Sequence, residues 1–545
     1  MAARELSVWG WGYADTPEPP QVDSALQSYR FLLGKPNYTL FPPDVAAIAR
    51  GLRKPRFNLA DAPAEVRQIC SDDPKTRMRL SYGRSTRDIF RAILGGFSNP
   101  PDYVALPRTE SDIVALLAWA DRTATHVIPV GGGTTVAAGT EPLKGATRVV
   151  AVDMTKHFNK VLEANTTDMT ALVQGGVTGP GLNTQLRKWG LTLRHFPQAW
   201  ELATVGGWLA TRSGGHYATN LTHIDSFVVS LRIITPRGII DTLPVPSSGA
   251  GPTPDRVFLG SEGILGIVTQ CRLRVQHPPQ HRVATTLVFP SFAKGSEATR
   301  AIVQASLYPA QCRLVDGAES RAYGIGGDVR LDQACLLLGF ESAHVGDLET
   351  RCMAPAIALA RKFGGLVVAP GGTDTESPAA DESATFRSSF ITVPYLRDAL
   401  LLRGFWLETF ETACSWSRWE ELKTGVEAVA RERKAVVTTR YTHVYTDGPA
   451  MYFTVAFRPS SPNAAISEWN RMKTAFTTCV LDHGGTLTHH HAVGKDLAVF
   501  YEREKGAVWT DTVRAIKRHF DPNGIMNPGT VVPVQQSGEG TKSKI

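Results

Sequence analysis

Between about residues 101 and 275, short apolar runs of β type alternate with glycine turns and amphipathic stretches. The pattern predicts strand-like runs at Asp102–Leu106, Thr125–Val130, Arg148–Asp153, Thr170–Gly175 and Leu265–Val275. Helices are expected at Ser111–Asp121 and Gly179–Trp189, and a hairpin joins Phe227–Ile234 to Ile239–Leu243 about Pro236-Arg237-Gly238. From 276 to about 480 the elements lengthen: helices at Ala298–Ser306, Leu348–Phe363 and Trp419–Arg433, strands at Ala435–Tyr445 and Met451–Phe457. The expected organisation is a helical region over 1–100, with helices at Pro43–Leu52 and Ser85–Leu94, then an α+β domain in two linked halves over 101–275. A second α+β domain follows over 276–480, then a C-terminal segment over 481–532 and a polar, disordered tail over 533–545. Pro370–Ser383, rich in Gly, Thr, Ser, Asp and Glu, reads as a mobile loop.

One turn in the first α+β domain carries chemistry. Pro129 and Val130 end a strand, and Gly131, Gly132, Gly133, Thr134 and Thr135 follow. Three glycines let backbone N–H groups approach a diphosphate without a Cβ in the way. No Gly-Lys-Ser/Thr follows, and the spacing is not that of a dinucleotide GxGxxG fingerprint. Alone, the turn fits an ordinary tight turn equally well. Three further segments change that: Thr204 to Gly215 (TVGGWLATRSGG), Gly260 to Gly266 (GSEGILG) and Asp521 to Gly529 (DPNGIMNPG). In this order they resemble the vanillyl-alcohol-oxidase-type FAD-binding family. The resemblance implies FAD held between two α+β subdomains, with the second domain as a substrate-facing cap. It places Pro129, Val130, Gly131, Gly132, Gly133, Thr134 and Thr135 at the diphosphate. It places Thr204, Gly206, Gly207 and Thr211 along the ribityl and isoalloxazine path, and Glu262 and Ile267 near the adenosine.

Composition narrows the class. A chain of 545 residues with 43% hydrophobic and 20% charged residues can bury two or three cores. The net charge is +7 and the pI about 9.0, with Lys and Arg scattered; no basic run marks a nucleic-acid arm. The charge suits a solvated surface, an anionic substrate or a lipid surface. Seven cysteines without a CxxC pair argue against a zinc site or a disulfide framework, and for a reducing compartment. No run of 18 apolar residues occurs. Ser543-Lys544-Ile545 resembles the Ser-Lys-Leu peroxisomal address, so the expected location is cytoplasmic or peroxisomal.

The remaining candidates lie beyond residue 312. His489, His490 and His491 could bind a metal, relay protons, meet an anion or simply be structural. If that segment is extended, neighbouring side chains point to opposite faces and do not share one ion. Tyr452 sits in an apolar strand and suits a core or a site. Arg397 and Arg313 have apolar neighbours, so they are either ion-paired inside the protein or hold an anion.

At these residues a narrower resemblance emerges, to the alkyldihydroxyacetonephosphate synthase family, over about residues 75–529. It rests on Ala203–Trp208, Thr235-Pro-Arg-Gly-Ile-Ile240, Arg313–Asp316, Phe363–Gly365, Tyr395–Asp398, Glu408–Thr412 with Trp416, Tyr452-Phe453 and Leu487–His491 with Val493–Lys495. It implies exchange of the acyl group of acyl-dihydroxyacetone phosphate for an alkyl group from a fatty alcohol. There is no net oxidation, and flavin N5 forms an adduct with the substrate carbon. Carried over, Tyr452 is the acid–base residue, and His489, His490 and His491 assist proton transfer and the departing carboxylate. Arg397 with Arg313 holds the phosphate, and Lys495 is a further anion-binding candidate. The resemblance also implies peripheral contact with membrane lipid and, often, a homodimer. Two departures bear on the substrate: Ala450 stands where the family often has Cys, and Ala492 where it has Gly. The alternative is an FAD-dependent dehydrogenase or oxidase of a 2-hydroxy acid. Relatives of that kind place a metal with HxGDGNxH and Glu-His-Gly. Here His443 lacks its second histidine and the other motif reads His490-His491-Ala492, so no metal is expected. A flavin-binding protein without catalysis is a third reading.

Overall fold

The computed structural model describes residues 4–369 and 391–534. The expected loop at Pro370–Ser383, nearly all of the tail after Pro533 and the C-terminal tripeptide lie outside the described residues. Three sheets organise the chain. The first has four strands, in the order Cys70–Ser71, Tyr103–Ala105, Val149–Asp153, His126–Val130. Its last three strands run parallel. Val149–Asp153 (VVAVD) lies between parallel partners and is buried at every position, as a strand covered on both faces should be. Helix Glu110–Thr123 covers it, started by a capping box between Thr109 and Asp112.

The second sheet is antiparallel, ordered Val161–Asn165, Thr170–Gln174, Ile267–Arg274, Val228–Thr235, Gly238–Asp241. Ile267–Arg274 alternates strictly between buried and half-buried, so one face packs on a core. Residues 525–527 return to the first sheet, where Asn527 N–H donates to Val127 C=O at 2.9 Å. The Asn527 side-chain amide donates to the carbonyls of Gly139 and Glu262, which ties the segment to the glycine turn.

The third sheet is antiparallel with seven strands: Leu366–Ala369, His281–Phe289, Ala334–Ser342, Gln311–Asp316, Val436–Val444, Pro449–Phe457, Trp406–Ala413. Period-two alternation sorts its faces. Along Pro449–Phe457, Met451, Phe453, Val455 and Phe457 enter the core beneath helices Trp419–Glu432 and Pro462–Asp482. Tyr452 therefore faces the other way. A register shift between Tyr441 and His443 interrupts Val436–Val444. The extra residue lets Thr442 and His443 reach the same side although they are adjacent.

Two expected helices are composite. Gly179–Leu186 continues as a 3-10 turn, Arg187–Trp189. The one expected over Leu348–Phe363 opens as a π-turn, Glu349–Met353, before Ala354–Arg361, because Pro355 has no N–H for the helical ladder.

Candidate active site

One elongated cavity runs between the two α+β domains. Its first half is walled by every residue expected at the flavin: Pro129–Thr135, Thr204, Gly206, Gly207, Thr211, Glu262 and Ile267. A Cβ on Gly131 would lie 2.1 Å from Thr204 Oγ1, and one on Gly132 2.1 Å from Leu202 O. Glycine is needed there so that the turn can lie against the 202–204 segment. None of the five backbone N–H groups from Gly131 to Thr135 is taken by another described residue. They form a concave set of donors whose chemistry fits a diphosphate. Glu262 lines this half, and its carboxylate accepts from the N–H groups of Val493 and Gly494 at 2.8 and 2.9 Å. Burial pushes its pKa up to about 7.

The second half is lined by the free face of the seven-stranded sheet. Arg313, Thr409, Thr442, His443 and Tyr452 come from four of its strands, and Arg397, His490 and His491 from neighbouring segments. The Tyr452 hydroxyl lies 3.1 Å from Thr409 Oγ1 and 3.3 Å from Gln198 Oε1. Burial raises its pKa, and the Arg440 guanidinium stacked on its ring partly offsets that.

The triple histidine is not extended. Residues 488–491 turn around the buried Glu411 carboxylate, which accepts from Thr488 Oγ1 (2.6 Å) and from the N–H groups of His489 (2.7 Å), His490 (3.2 Å) and His491 (2.9 Å). The expectation of side chains on alternate faces fails for this reason. His490 and His491 reach the cavity, whereas His489 sits behind them. His489 Nδ1 is 2.9 Å from His490 Nδ1, and its Nε2 is 2.8 Å from Tyr445 Oη and 3.1 Å from His223 Nε2. His443 joins the group, so ligating atoms of His443, His489 and His490 lie within 4.8 Å of one another. Burial and mutual repulsion hold all three imidazoles well below the usual histidine pKa, and His491 below it too.

The arginines are less free than expected. Arg397 Nε and Nη2 donate to Asp398 Oδ1 at 3.0 and 2.8 Å, and Nη1 to Arg84 C=O at 2.7 Å. Arg313 is fully buried, and its Nη2 bonds Nδ1 and C=O of His216 at 3.0 and 2.9 Å. Lys495 does not line the cavity. Its Nζ bonds Asn527 Oδ1 and Thr530 Oγ1, and burial lowers its pKa to about 8. Through Asn527, which lines the cavity, it buttresses the flavin half.

Trp11, Thr409, Glu411 and Arg440 had no part in the sequence-based site. Glu411 lies inside a segment that carried the family resemblance, and Arg440 interrupts a β-branched strand; either could have raised suspicion. Nothing in the first dozen residues points to Trp11.

Comparison with known proteins finds two family matches along the chain. Residues 101–243 match the FAD binding domain family and residues 278–531 the FAD linked oxidases, C-terminal domain family. The alkyldihydroxyacetonephosphate synthase of Dictyostelium discoideum is 30% identical over 492 residues, covering 85% of this chain and 78% of the relative. A mitochondrial D-lactate dehydrogenase [cytochrome] of Arabidopsis thaliana is 26% identical, covering 86% and 80%. A solved alkyldihydroxyacetonephosphate synthase superposes with a TM-score of 0.78 at 25% identity, covering 96% of this chain and 98% of that one. The fold is thus the two-subdomain FAD-binding fold of the vanillyl-alcohol-oxidase type with an α+β cap. On these grounds the chain belongs to the alkyldihydroxyacetonephosphate synthase family, a family of FAD-dependent enzymes of ether-lipid synthesis.

Proposed function

We propose that this enzyme replaces the acyloxy group of acyl-dihydroxyacetone phosphate with the alkoxy group of a fatty alcohol, releasing a fatty carboxylate. One observation supports this above all: Tyr452, His490, His491, Arg313 and Arg397 line the same cavity as the diphosphate cradle. Bound FAD would supply a nucleophilic handle for the reacting carbon, so that no external electron acceptor is needed. Arg397, oriented by Asp398 and Arg84, turns its remaining N–H groups to the phosphate, with Arg313 close to the same wall. Tyr452 exchanges a proton with the substrate. The depressed pKa of His490 and His491 keeps them neutral near pH 7, so one can accept the alcohol proton as the ether C–O bond forms, the ester C–O bond having broken earlier with the carboxylate as leaving group. A neutral imidazole assists the carboxylate's departure as a hydrogen-bond donor and not as a cation. Long-chain substrates bring with them peripheral contact with lipid, for which the net charge of +7 is suited.

The test is to supply purified, FAD-loaded enzyme with acyl-dihydroxyacetone phosphate and labelled hexadecanol, without electron acceptor. Labelled alkyl product is expected. Flavin bleaching by D-lactate or 2-hydroxyglutarate, with no alkyl product, would transfer the assignment to a 2-hydroxy-acid dehydrogenase.

A further inference from the structure

Residues 5–14 fold back on themselves. Leu6 and Tyr13 form an antiparallel bridge, Ser7 N–H donates to Gly12 C=O at 2.8 Å, and Ala14 N–H to Glu5 C=O at 2.9 Å. At the tip, Gly10 N–H donates to Ser7 Oγ at 2.9 Å. The hairpin carries Trp11, 7% exposed, into the wall of the catalytic cavity, where Val393, Pro394 and Arg397 also lie. The Arg397 guanidinium carbon is 5.9 Å from the indole centroid.

Two hydrogen-bond routes join this hairpin to Arg397. On one side Trp11 N–H donates to Asp398 Oδ2 at 2.6 Å, while Asp398 Oδ1 receives Arg397 Nε and Nη2. On the other, Arg84 Nη2 donates to Ser7 C=O at 3.2 Å, and Arg84 C=O receives Arg397 Nη1. Ser7, Arg84, Arg397, Asp398 and Trp11 thus close a ring drawn from three distant parts of the chain. A guanidinium has five N–H donors, and the ring takes three, which leaves two with a fixed direction. The packing has no slack. Gly12 has φ +68°, and a Cβ there would lie 2.0 Å from Tyr395 Oη.

The ring also has an electrostatic consequence. Asp398 neutralises much of the Arg397 charge, so recognition of an anion at this end depends on directed donors more than on net charge. The Trp11 indole N–H makes no hydrogen bond to a described residue and belongs to a cavity-lining side chain. It is a neutral donor on a side chain that shares the cavity wall with Arg397.

We propose that the hairpin at residues 5–14 is a wall of the head-group subsite and that Trp11 is a specificity-determining residue for the phosphate monoester bound there. This rests on the reading that Arg397 receives the substrate phosphate. A phosphate monoester has three terminal oxygens, enough to meet both the arginine and the indole. A planar carboxylate that pairs both oxygens with the arginine has no third oxygen to direct out of that plane toward the indole. The indole also shields the Arg397–Asp398 pair from water, which strengthens every hydrogen bond at that wall.

Steady-state kinetics of full-length, FAD-loaded Trp11→Phe and Trp11→Ala test this, with acyl-dihydroxyacetone phosphate and hexadecanol varied separately. Loss of one directed donor should raise KM for the phosphate substrate about tenfold in Trp11→Phe, and more in Trp11→Ala. KM for the alcohol and the flavin absorption spectrum should not change. Trp11→Phe keeps the aromatic packing and decides the matter if Trp11→Ala fails to fold. A KM for the phosphate substrate within twofold of the parent in Trp11→Phe overturns the role of the indole donor. Arg397→Lys is run beside it. If Arg397→Lys raises that KM and Trp11→Phe does not, only the hairpin inference falls. If neither moves it, the phosphate reading of Arg397 falls as well.

Discussion

The guanidinium of Arg440 lies over the ring of Tyr452, 4.0 Å from its centroid, and the two residues are direct cross-strand partners. Beneath the ring Arg440 is ion-paired with Glu319, and all three side chains are buried. A cation against the ring favours the phenolate, while burial disfavours it and prevails, leaving the Tyr452 pKa raised.

Arg440→Gln removes the cation, the larger of the two influences that oppose burial, and leaves only the Thr409 hydrogen bond against it. Tyr452 then titrates at still higher pH, and the limb of the kcat/KM pH profile that reports it should move upward. A limb that stays in place or moves down would separate Tyr452 from the profile. The variant also leaves Glu319 buried without a counter-charge, a loss of about 3–5 kcal/mol that Glu319→Gln in the same chain should partly restore.

Tyr452→Phe keeps the ring under Arg440 and deletes only the hydroxyl that meets Thr409 and Gln198. FAD content and Tm should stay near the parent's, while alkyl transfer falls about 10²–10⁴-fold, the usual scale for a lost acid–base group. Turnover within a few-fold of the parent would remove Tyr452 from the proton transfer.

Glu411 holds the 488–491 turn by accepting four hydrogen bonds with one carboxylate. Burial alone would raise its pKa, but His491, His489 and the hydrogen bonds outweigh it and lower the value, so the group stays charged. Glu411→Gln substitutes an amide N–H₂ for one acceptor and turns it against a backbone N–H. The expected outcome is a loss of about 1–3 kcal/mol in stability and up to about 10²-fold in kcat, as His490 and His491 drift from position. Flavin content should be unchanged. An unaltered kcat would mean the turn holds its shape without the carboxylate.

These residues also show what the sequence could express. The diphosphate cradle was legible because its requirement is local: three glycines after a strand, wherever the rest of the chain goes. The strands carrying Tyr452 and His443 were legible as apolar runs for the same reason. Their shared face was not, because the register shift at Tyr441/His443 is set by pairing with Pro449–Phe457 and re-aims one residue against simple alternation. The turn at 488–491 is dictated by a carboxylate 77 residues upstream of Thr488 in sequence. Trp11 is bound to a residue 387 positions away. Helix Pro462–Asp482 is a different case: Ser461 as N-cap and Pro462 in the first turn mark its start locally, with no distant partner needed.

The convergence of His443, His489 and His490 invites a metal, yet the pair His489 Nδ1 and His490 Nδ1 stands at hydrogen-bond distance, 2.9 Å, and so shares a proton. An ion would have to displace that proton and separate the rings. Dialysis of the FAD-loaded enzyme against EDTA should therefore leave alkyl transfer intact, with less than about 0.1 equivalent of zinc per chain by elemental analysis. Loss of activity restored by one equivalent of a divalent ion would replace the proton relay with a metal centre.

His443 offers a test of the electrostatics that is independent of catalysis. It is 1% exposed, its Nε2 lies 2.7 Å from Gly215 C=O, and its pKa is held well below the ordinary value, chiefly by burial and then by His490, His223 and Arg313. In the unfolded chain it titrates near pH ~6.5. Below that pH the unfolded state takes up a proton that the folded state refuses. The stability associated with the neutral ring is therefore fully present above about pH 6.5 and is lost as pH falls, by up to about 1.4 kcal/mol per pH unit. The buried carboxylates Glu262 and Asp316, both pushed up to about 7, act in the opposite direction, so the pH dependence of the parent alone is a sum of opposed terms. Comparing the parent with His443→Gln cancels those carboxylates. The substitution lowers Tm at pH 7.5 through lost packing, and the gap should close steadily as pH is lowered from 7 to 5.5, because only the parent still carries the unprotonated imidazole. A gap that is constant or widens over that range would mean that His443 accepts its proton inside the folded protein.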